Sequence, residues 1–382
     1  MEKRVAIAGI GTTGFRATSP DVSYREMTYE AANKAYLDAG ISPEDVGAFV
    51  ATSEDLLEGY SISDEYSPDQ LGAVLKSIHT VPGDFIQGLA NAYMLIQSGY
   101  ADITVAQGLS KASNMLTKGD LATFGTDPFT WRPLEETPHA IAAMDMHRFL
   151  YDTGNSVEQC AQVVVKNRFN ALSNPRAALG CKLELDEVLN ADPVAAPLGK
   201  LDIAQHADGA VVCVLAREEL VPSLKGHPIW IRGISWATET NALDSRTWGE
   251  AVYMQLAAER AYAMAGIRTP AKELDFAEVN DEYSYKELQH LEALRICPKG
   301  DSGKLTETGW SEPTGEFPVN VSGGCLGCGH VYELDGGQKV LDVVLQLRGH
   351  TGQNQLENVH TGLAASWRGV PTTTGAVAIL SD

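Results

Sequence analysis

One segment occurs twice in the chain. Ala31–Ile41 reads AANKAYLDAGI and Ala257–Ile267 reads AAERAYAMAGI, with identity at both leading alanines, at Ala-Tyr and at Ala-Gly-Ile. Each copy has helical spacing of small and aromatic residues, and each ends at a glycine, the residue best suited to a helix stop. Each is followed by a proline-containing turn and a short apolar run, Phe49–Thr52 and Phe276–Asn280. Two alanine-rich helices can look alike by chance, but the shared stop and the matching strand downstream argue for duplication. The chain is therefore read as α/β, built from two similar βαβ-rich halves, with two parallel-type sheets and buried helices between them.

The remaining elements fit this division. Val5–Ile10 reads as a buried strand, Ser23 and Glu26 as a capping box opening a helix that stops at Gly40, and Gln87–Ser98 as a helix before a strand at Ile103–Ala106. Residues 116–198 change character, with Pro, Trp and Asn-rich loops around helices near Pro138–Tyr151 and Val157–Ser173. Strands resume at Ala210–Ala216 and Trp230–Trp236. The expected domains are a first half over 1–115 plus 199–220, an inserted, mostly helical region over 116–198, and a second half over 221–382. Phe124, Phe129, Trp131 and Tyr151 of the insertion are candidates for an aromatic pocket or, more ordinarily, for core.

A net charge of −21 over 382 residues repels phosphate backbones and anionic lipid, so neither nucleic acid nor membrane is an expected partner. No apolar stretch is long enough to span a bilayer, and the N-terminus reads directly as a strand; a cytoplasmic protein with reduced cysteines is expected. The same charge is awkward for binding an anionic ligand unless a local basic patch or a partner chain offsets it.

Gly9-Ile10-Gly11-Thr12-Thr13-Gly14 matches the dinucleotide fingerprint. That motif needs a helix to start at once, whereas Phe15–Pro20 intervenes, so a tight turn after the first strand is expected instead. The better site candidate is Pro318–His330, PVNVSGGCLGCGH, where glycines suit close approach of backbone to a ligand. A histidine near a helix N-terminus there, His330, is expected to be neutral and so fit to act as a base. Thiols in the same position, Cys325 and Cys328, are expected to favour the thiolate. They are equally readable as a pair of small buried thiols. No second Cys or His pair sits at zinc spacing, so no metal is expected. Asn280-Asp281-Glu282-Tyr283 follows the second-copy strand, where polar residues commonly face a ligand crevice, although Asp281 also reads as a simple helix cap.

At these residues the chain resembles a thiolase of the sterol-carrier-type and archaeal-type branch. The likeness extends over nearly the whole length, through Val5–Phe15, Ala31–Val50, Pro197–Asp202 with Asp208–Ala210, Glu278–Leu288 and Ser322–His330. It implies a five-layered αβαβα fold, a homodimer core, and making or breaking of a C–C bond beside a CoA thioester. Coenzyme A would be cosubstrate, with no covalently bound cofactor. By the resemblance His330 is the catalytic histidine, and Asn280 or Asp281 positions a catalytic water or an oxyanion. Asp84, Tyr283, Tyr332, Gly324 and Gly329 are expected to line the substrate.

The chain departs from the family in two places. The family's nucleophilic cysteine belongs at Pro82–Asp84, and a second often lies in the loop occupied here by Ala364–Gly369; neither segment contains one. Divergent members of this sort resemble subunits that pair with a small OB-fold/zinc-ribbon protein, among them steroid side-chain retro-aldolases and the thiolase acting on 2-benzoylsuccinyl-CoA. The first expectation is thus thiolysis of a 3-oxoacyl-CoA, with an aromatic substrate such as 2-benzoylsuccinyl-CoA among the candidates. The second is a retro-aldol lyase using His330, Asp84 or Tyr332 as base, and the third a non-catalytic acyl-CoA-binding subunit.

Overall fold

The computed structural model describes residues 4–53, 62–115, 126–134, 137–369 and 373–382. Phe124 lies outside them. Nine strands form the frame: β1 (Val5–Arg16), β2 (Ala48–Thr52), β3 (Ser77–Val81), β4 (Ile103–Lys111), β5 (Asp208–Arg217), β6 (Ile229–Glu239), β7 (Phe276–Val279), β8 (Thr361–Arg368) and β9 (Thr373–Ser381). Their order is β3-β2-β4-β5-β1-β6-β9-β8-β7. Among the described residues the two halves of the sheet meet edge to edge through two residue pairs, Ala6 with Trp230 and Ile7 with Ile229.

Each half-sheet is mixed rather than parallel. In the first half β2 is parallel to β3 and β4, while β5 runs antiparallel to β4 and β1. In the second, β8 is parallel to β7 but antiparallel to β9. The cause is connection length: β8 and β9 are joined by four residues, too few for the crossover that a parallel pair needs.

The repeated segments form the outer layers. Helix α1 (Tyr24–Ala39) is closed by the reciprocal Ser23 and Glu26 cap and stops at Gly40 with φ 71°. It lays Ala31, Ala32, Ala35 and Ala39 on the first half-sheet. Its counterpart is Val252–Ala265, which stops at Gly266 with φ 74° and covers the second half-sheet with Ala257, Ala258 and Ala261.

Helices Phe85–Gln97 (α2) and Asp335–Leu347 share the layer between the half-sheets, burying Phe85, Leu89, Val340 and Val344 against Val50 and Val211 on one side and Ala376 and Leu380 on the other. Alternation along β9 serves both layers, since Val377 and Ile379 face the outer helix and Ala378 and Leu380 the middle. The architecture is therefore αβαβα, as expected.

The tight turn expected after Ile10 is not formed. Strand β1 continues through Gly14 to Arg16. A Cβ on Gly9 or Gly11 would lie 2.3 Å from the Ala35 carbonyl oxygen or 2.1 Å from that of Ala31. These glycines seat a helix against a strand, not a pyrophosphate.

Residues 138–170 contribute α3 (Pro138–Thr153) and α4 (Val157–Asn170), and α5 (Val252–Ala265) and α6 (Ser284–Ala293) follow later in the chain. A buried carboxylate fastens α3 to α6: Asp145 accepts from Gly249 N, Tyr285 Oη, Lys286 Nζ and Gln289 Nε2 at 2.8–3.2 Å. Among the described aromatic candidates, Phe129 and Tyr151 neither line a pocket nor fill core, being 88% and 80% exposed, and Trp131 is half-buried. Among the described residues no helix is long and apolar enough to cross a membrane.

Candidate active site

The C-terminal ends of β7 and β8 and the starts of α2, of α7 (Gly324–Cys328) and of α8 (Asp335–Leu347) converge. Asn280 ties them together. Its Nδ2 donates to Asp335 Oδ2 at 3.0 Å and to the Trp367 carbonyl at 3.5 Å, while its Oδ1 accepts from Glu282 N at 3.0 Å. With both ends engaged and no exposed surface, Asn280 orients the site and does not present a free amide to an oxyanion.

His330 is strapped by its backbone, donating to Gln205 O and accepting from Ala207 N. Its Nδ1 pairs with Asp335 Oδ2 at 2.7 Å, and Asp335 Oδ1 also accepts from Val331 N. Its Nε2 lies 3.9 Å from Glu282 Oε1. Burial pulls the imidazole pKa down, but the carboxylates of Asp335 and then Glu282 outweigh it and set it at about 9. The expected neutral histidine is thus an imidazolium at neutral pH, because two buried carboxylates flank it. Burial raises Glu282 in turn, opposed by the His330 charge.

The two thiols are not activated. Cys325 and Cys328 are fully buried, and burial first, then nearby carboxylates, push both pKa values well above normal. The Cys328 thiol donates to the Ser322 carbonyl and accepts from Asn174 Nδ2. A five-residue helix gives too little field to offset such desolvation, so the expected thiolate is not favoured.

Asp281 caps α7 by accepting from Cys325 N and Leu326 N, and also holds Asn167 Nδ2 and sits 3.6 Å from Lys339 Nζ. Asp281 is thus a cap, but of α7 rather than of the helix Ser284–Ala293 that follows it, whose N-cap is Tyr283. Gly324 makes room for the Asp281 carboxylate and Gly329 for Ala207, since a Cβ would come within 2.2 Å and 2.4 Å of them. The close approach expected toward a ligand is spent on the protein itself.

Asp84 caps α2 from the place where the thiolase cysteine was sought. Its Oδ1 accepts from Ile86 N, and its Oδ2 from Gly336 N and Ser366 Oγ. Burial, against these hydrogen bonds, lifts its pKa to about 7.

Tyr332 flanks His330, and Tyr332 and Tyr283 each meet a histidine. Tyr332, held at φ +51°, stacks on His206 with centroids 4.8 Å apart and planes 8° apart, and lies 4.7 Å from the His330 ring. Tyr283 Oη lies 3.1 Å from His139 Nδ1, with the rings edge-on at 73°. Burial and the His330 charge depress the His139 pKa.

The sequence reading missed Asp335, Glu282, His206 and His139. Asp335 opens a helix five residues after His330, and Glu282 sits inside a segment already singled out, so local signals existed. His206 and His139 come from distant segments and carry none. Among the described residues no three His, Cys, Asp or Glu are grouped to hold a metal ion.

Comparison with known proteins places these features in context. The thiolase C-terminal domain-like family matches residues 237–382. An acetyl-CoA acetyltransferase of Methanothermobacter thermautotrophicus is 31% identical over 386 residues, spanning 99% of both chains. The 17-hydroxy-3-oxo-4-pregnene-20-carboxyl-CoA lyase of Mycobacterium tuberculosis is 28% identical over 388 residues, spanning 98% of both. Among solved structures, the Ltp2-ChsH2(DUF35) aldolase superposes with a TM-score of 0.85 at 25% identity, over 99% of this chain and 98% of that one.

Proposed function

The chain belongs to the thiolase family, and on that premise we propose that it breaks the C2–C3 bond of a 3-hydroxyacyl-CoA by a retro-aldol reaction. One observation carries this reading: the two places where the family's cysteines were sought hold Asp84 and Ser366, hydrogen-bonded to each other at 2.6 Å, while the thiols nearest in sequence to His330 are sealed. Thiolytic cleavage through the enzyme needs a thiolate; retro-aldol cleavage needs only a base, an acid and a place for negative charge.

The site supplies these. A base removes the proton of the C3 hydroxyl, the C3–O bond becomes a carbonyl, and the C2–C3 electron pair moves into the thioester enolate. The imidazolium of His330, oriented by Asp335 and Asn280, faces that charge and stabilises it without reorganising. Protonation at C2 completes the product acyl-CoA. Glu282, Tyr283 and Tyr332 are the neighbouring proton carriers. The similarity to two carbon–carbon-cleaving proteins, a lyase and an aldolase, supports the assignment.

A second reading is thiolysis in which coenzyme A itself attacks a 3-oxoacyl-CoA. The 31% identity to an acetyl-CoA acetyltransferase favours it. The deciding assay offers 3-hydroxyacyl-CoA and 3-oxoacyl-CoA substrates with and without free coenzyme A. Cleavage of the hydroxy substrate without coenzyme A is expected. Cleavage of the oxo substrate alone, and only with coenzyme A, would overturn the proposal in favour of thiolysis. A His330→Ala variant with unchanged activity would leave only a binding subunit.

The chain is further proposed to form a homodimer and to work with a small second subunit. The named DUF35 partner in the similar aldolase structure supports the latter, as does a charge of −21 on a protein meant to bind a polyanionic thioester.

A further inference from the structure

We propose that His139, carried into the site by the inserted region, is a positioning residue that acts through Tyr283: its Nδ1 takes the phenol proton as the phenol oxygen takes the proton of the substrate's C3 hydroxyl. This inference rests on the retro-aldol reading and names the base that reading requires.

Ring geometry separates the two tyrosine–histidine pairs. An imidazole nitrogen lone pair lies in the plane of its ring, so a donor must approach edge-on. His206 lies flat on Tyr332, with planes 8° apart, and its Nε2 is 3.4 Å from the hydroxyl. That contact is long and made across stacked faces, a poorer path for a proton than a short edge-on one. His139 meets Tyr283 at 73° with 3.1 Å between Nδ1 and Oη. Of these two pairs, this is the one shaped for proton transfer.

The charges agree with the shape. A base must be neutral before the reaction, and burial together with the His330 cation keeps His139 so. With the remaining ring proton on Nε2, Nδ1 is left as acceptor. The titratable groups set against the pair are few: His330 faces His139, Glu282 and Tyr332 face Tyr283, and Asp335, Glu282 and Glu333 face His330. One imidazole is held charged and the other uncharged at neighbouring positions, which divides electrophile from base.

The step balances without a cofactor. The C3 hydroxyl proton passes to Tyr283 Oη and the Tyr283 proton to His139 Nδ1, so no phenolate accumulates although burial raises the phenol pKa well above normal. The C2–C3 pair becomes the enolate opposite His330. As the enolate collapses, the proton returns through the same phenol to C2, and His139 is neutral again. The new positive charge on His139 arises only while the enolate is present to offset it.

The test is the pH profile of kcat/KM for the native protein, His139→Asn and Tyr283→Phe, with the complete protein and any copurifying subunit. Asparagine keeps an acceptor near Tyr283 but does not titrate. The native profile is expected to fall on the acid side below the ordinary histidine pKa. In His139→Asn that limb is expected to vanish, with kcat down about 100-fold and KM changed less than about threefold. Tyr283→Phe is expected to lose as much, and the double variant no more than either single one. Persistence of the acid limb in His139→Asn, or additive losses in the double variant, would overturn the inference. If His139→Asn does not fold, the Tyr283→Phe profile decides alone, because loss of the relay removes the same limb. Failure of the retro-aldol reading shows separately, as a coenzyme A requirement in the native protein.

Discussion

Ser366 Oγ donates a 2.6 Å hydrogen bond to Asp84 Oδ2, tying the end of β8 to the start of α2. The same carboxylate caps α2 and accepts from Gly336 N in the first turn of α8. Ser366→Ala removes one of its donors and is expected to lower stability by about 1–3 kcal/mol, read as a shift in urea midpoint at constant m-value. Asp84→Asn costs at least as much, because its amide N–H group meets the N–H of Gly336. Since the folded pKa of Asp84 is raised from 3.8 to about 7, its protonated form is the better bound one. Its contribution is complete below about pH 4 and is lost as pH rises through 7. A set of urea melts between pH 4 and 8 checks this, and the slope disappears in Asp84→Asn.

Cys325 and Cys328 pack in the middle of the protein with no exposed surface. Alanine at both is expected to leave kcat within about twofold while lowering stability by roughly 1–3 kcal/mol through lost packing. Activity assays beside thermal melts separate the two effects. A loss of activity in a folded double variant would restore the covalent thiol reading.

Burial alone would lower the His330 pKa; Asp335 and Glu282 reverse that and hold it at about 9. Activity that depends on the imidazolium is expected to decline above pH 9. Asp335→Asn removes the nearest carboxylate, so this alkaline limb moves to lower pH and kcat falls about 100-fold or more. The raised pKa also fixes the sign for stability: the contribution of the pair is complete below the unfolded value of about 6.5 and is lost as pH passes 9. Melts at pH 6 and pH 10 compare the native protein with Asp335→Asn.

Asp145 pairs with Lys286 at 2.9 Å, both buried, and takes three further hydrogen bonds. Asp145→Ala strands a buried ammonium and is expected to cost about 3–5 kcal/mol. Because α3 is fastened through this carboxylate, limited proteolysis of the variant is expected to begin in the inserted region.

The outer shell of this fold was readable because its signals are local. A reciprocal Ser23–Glu26 cap, alanines spaced to lie on a sheet and a glycine at each stop place α1 and α5 from sequence alone. The glycines at 9 and 11 were misread since their purpose is contact with residues 20 or more positions away. The glycine-rich segment stood out in the sequence, but its electrostatics did not. Whether Cys325 is a nucleophile and whether His330 is neutral depend on how deep each lies and on what α8 and β7 bring beside it, and neither depth nor partner is written in the segment itself. The same holds for His139, which reaches Tyr283 across 144 positions.

The Asp84 carboxylate carries a consequence for any attempt to build a thiol into this fold. It joins α2 of the first half to α8 and β8 of the second, so one side chain stands where the family's cysteine was sought and also fixes how the halves sit on each other. His330 and Asp335 stand next to that seam. Replacing Asp84 by cysteine would put a thiol at the start of α2 while unfastening Gly336 and Ser366 from it. A single Asp84→Cys change would therefore gain a thiol only by loosening the contact between α2, α8 and β8.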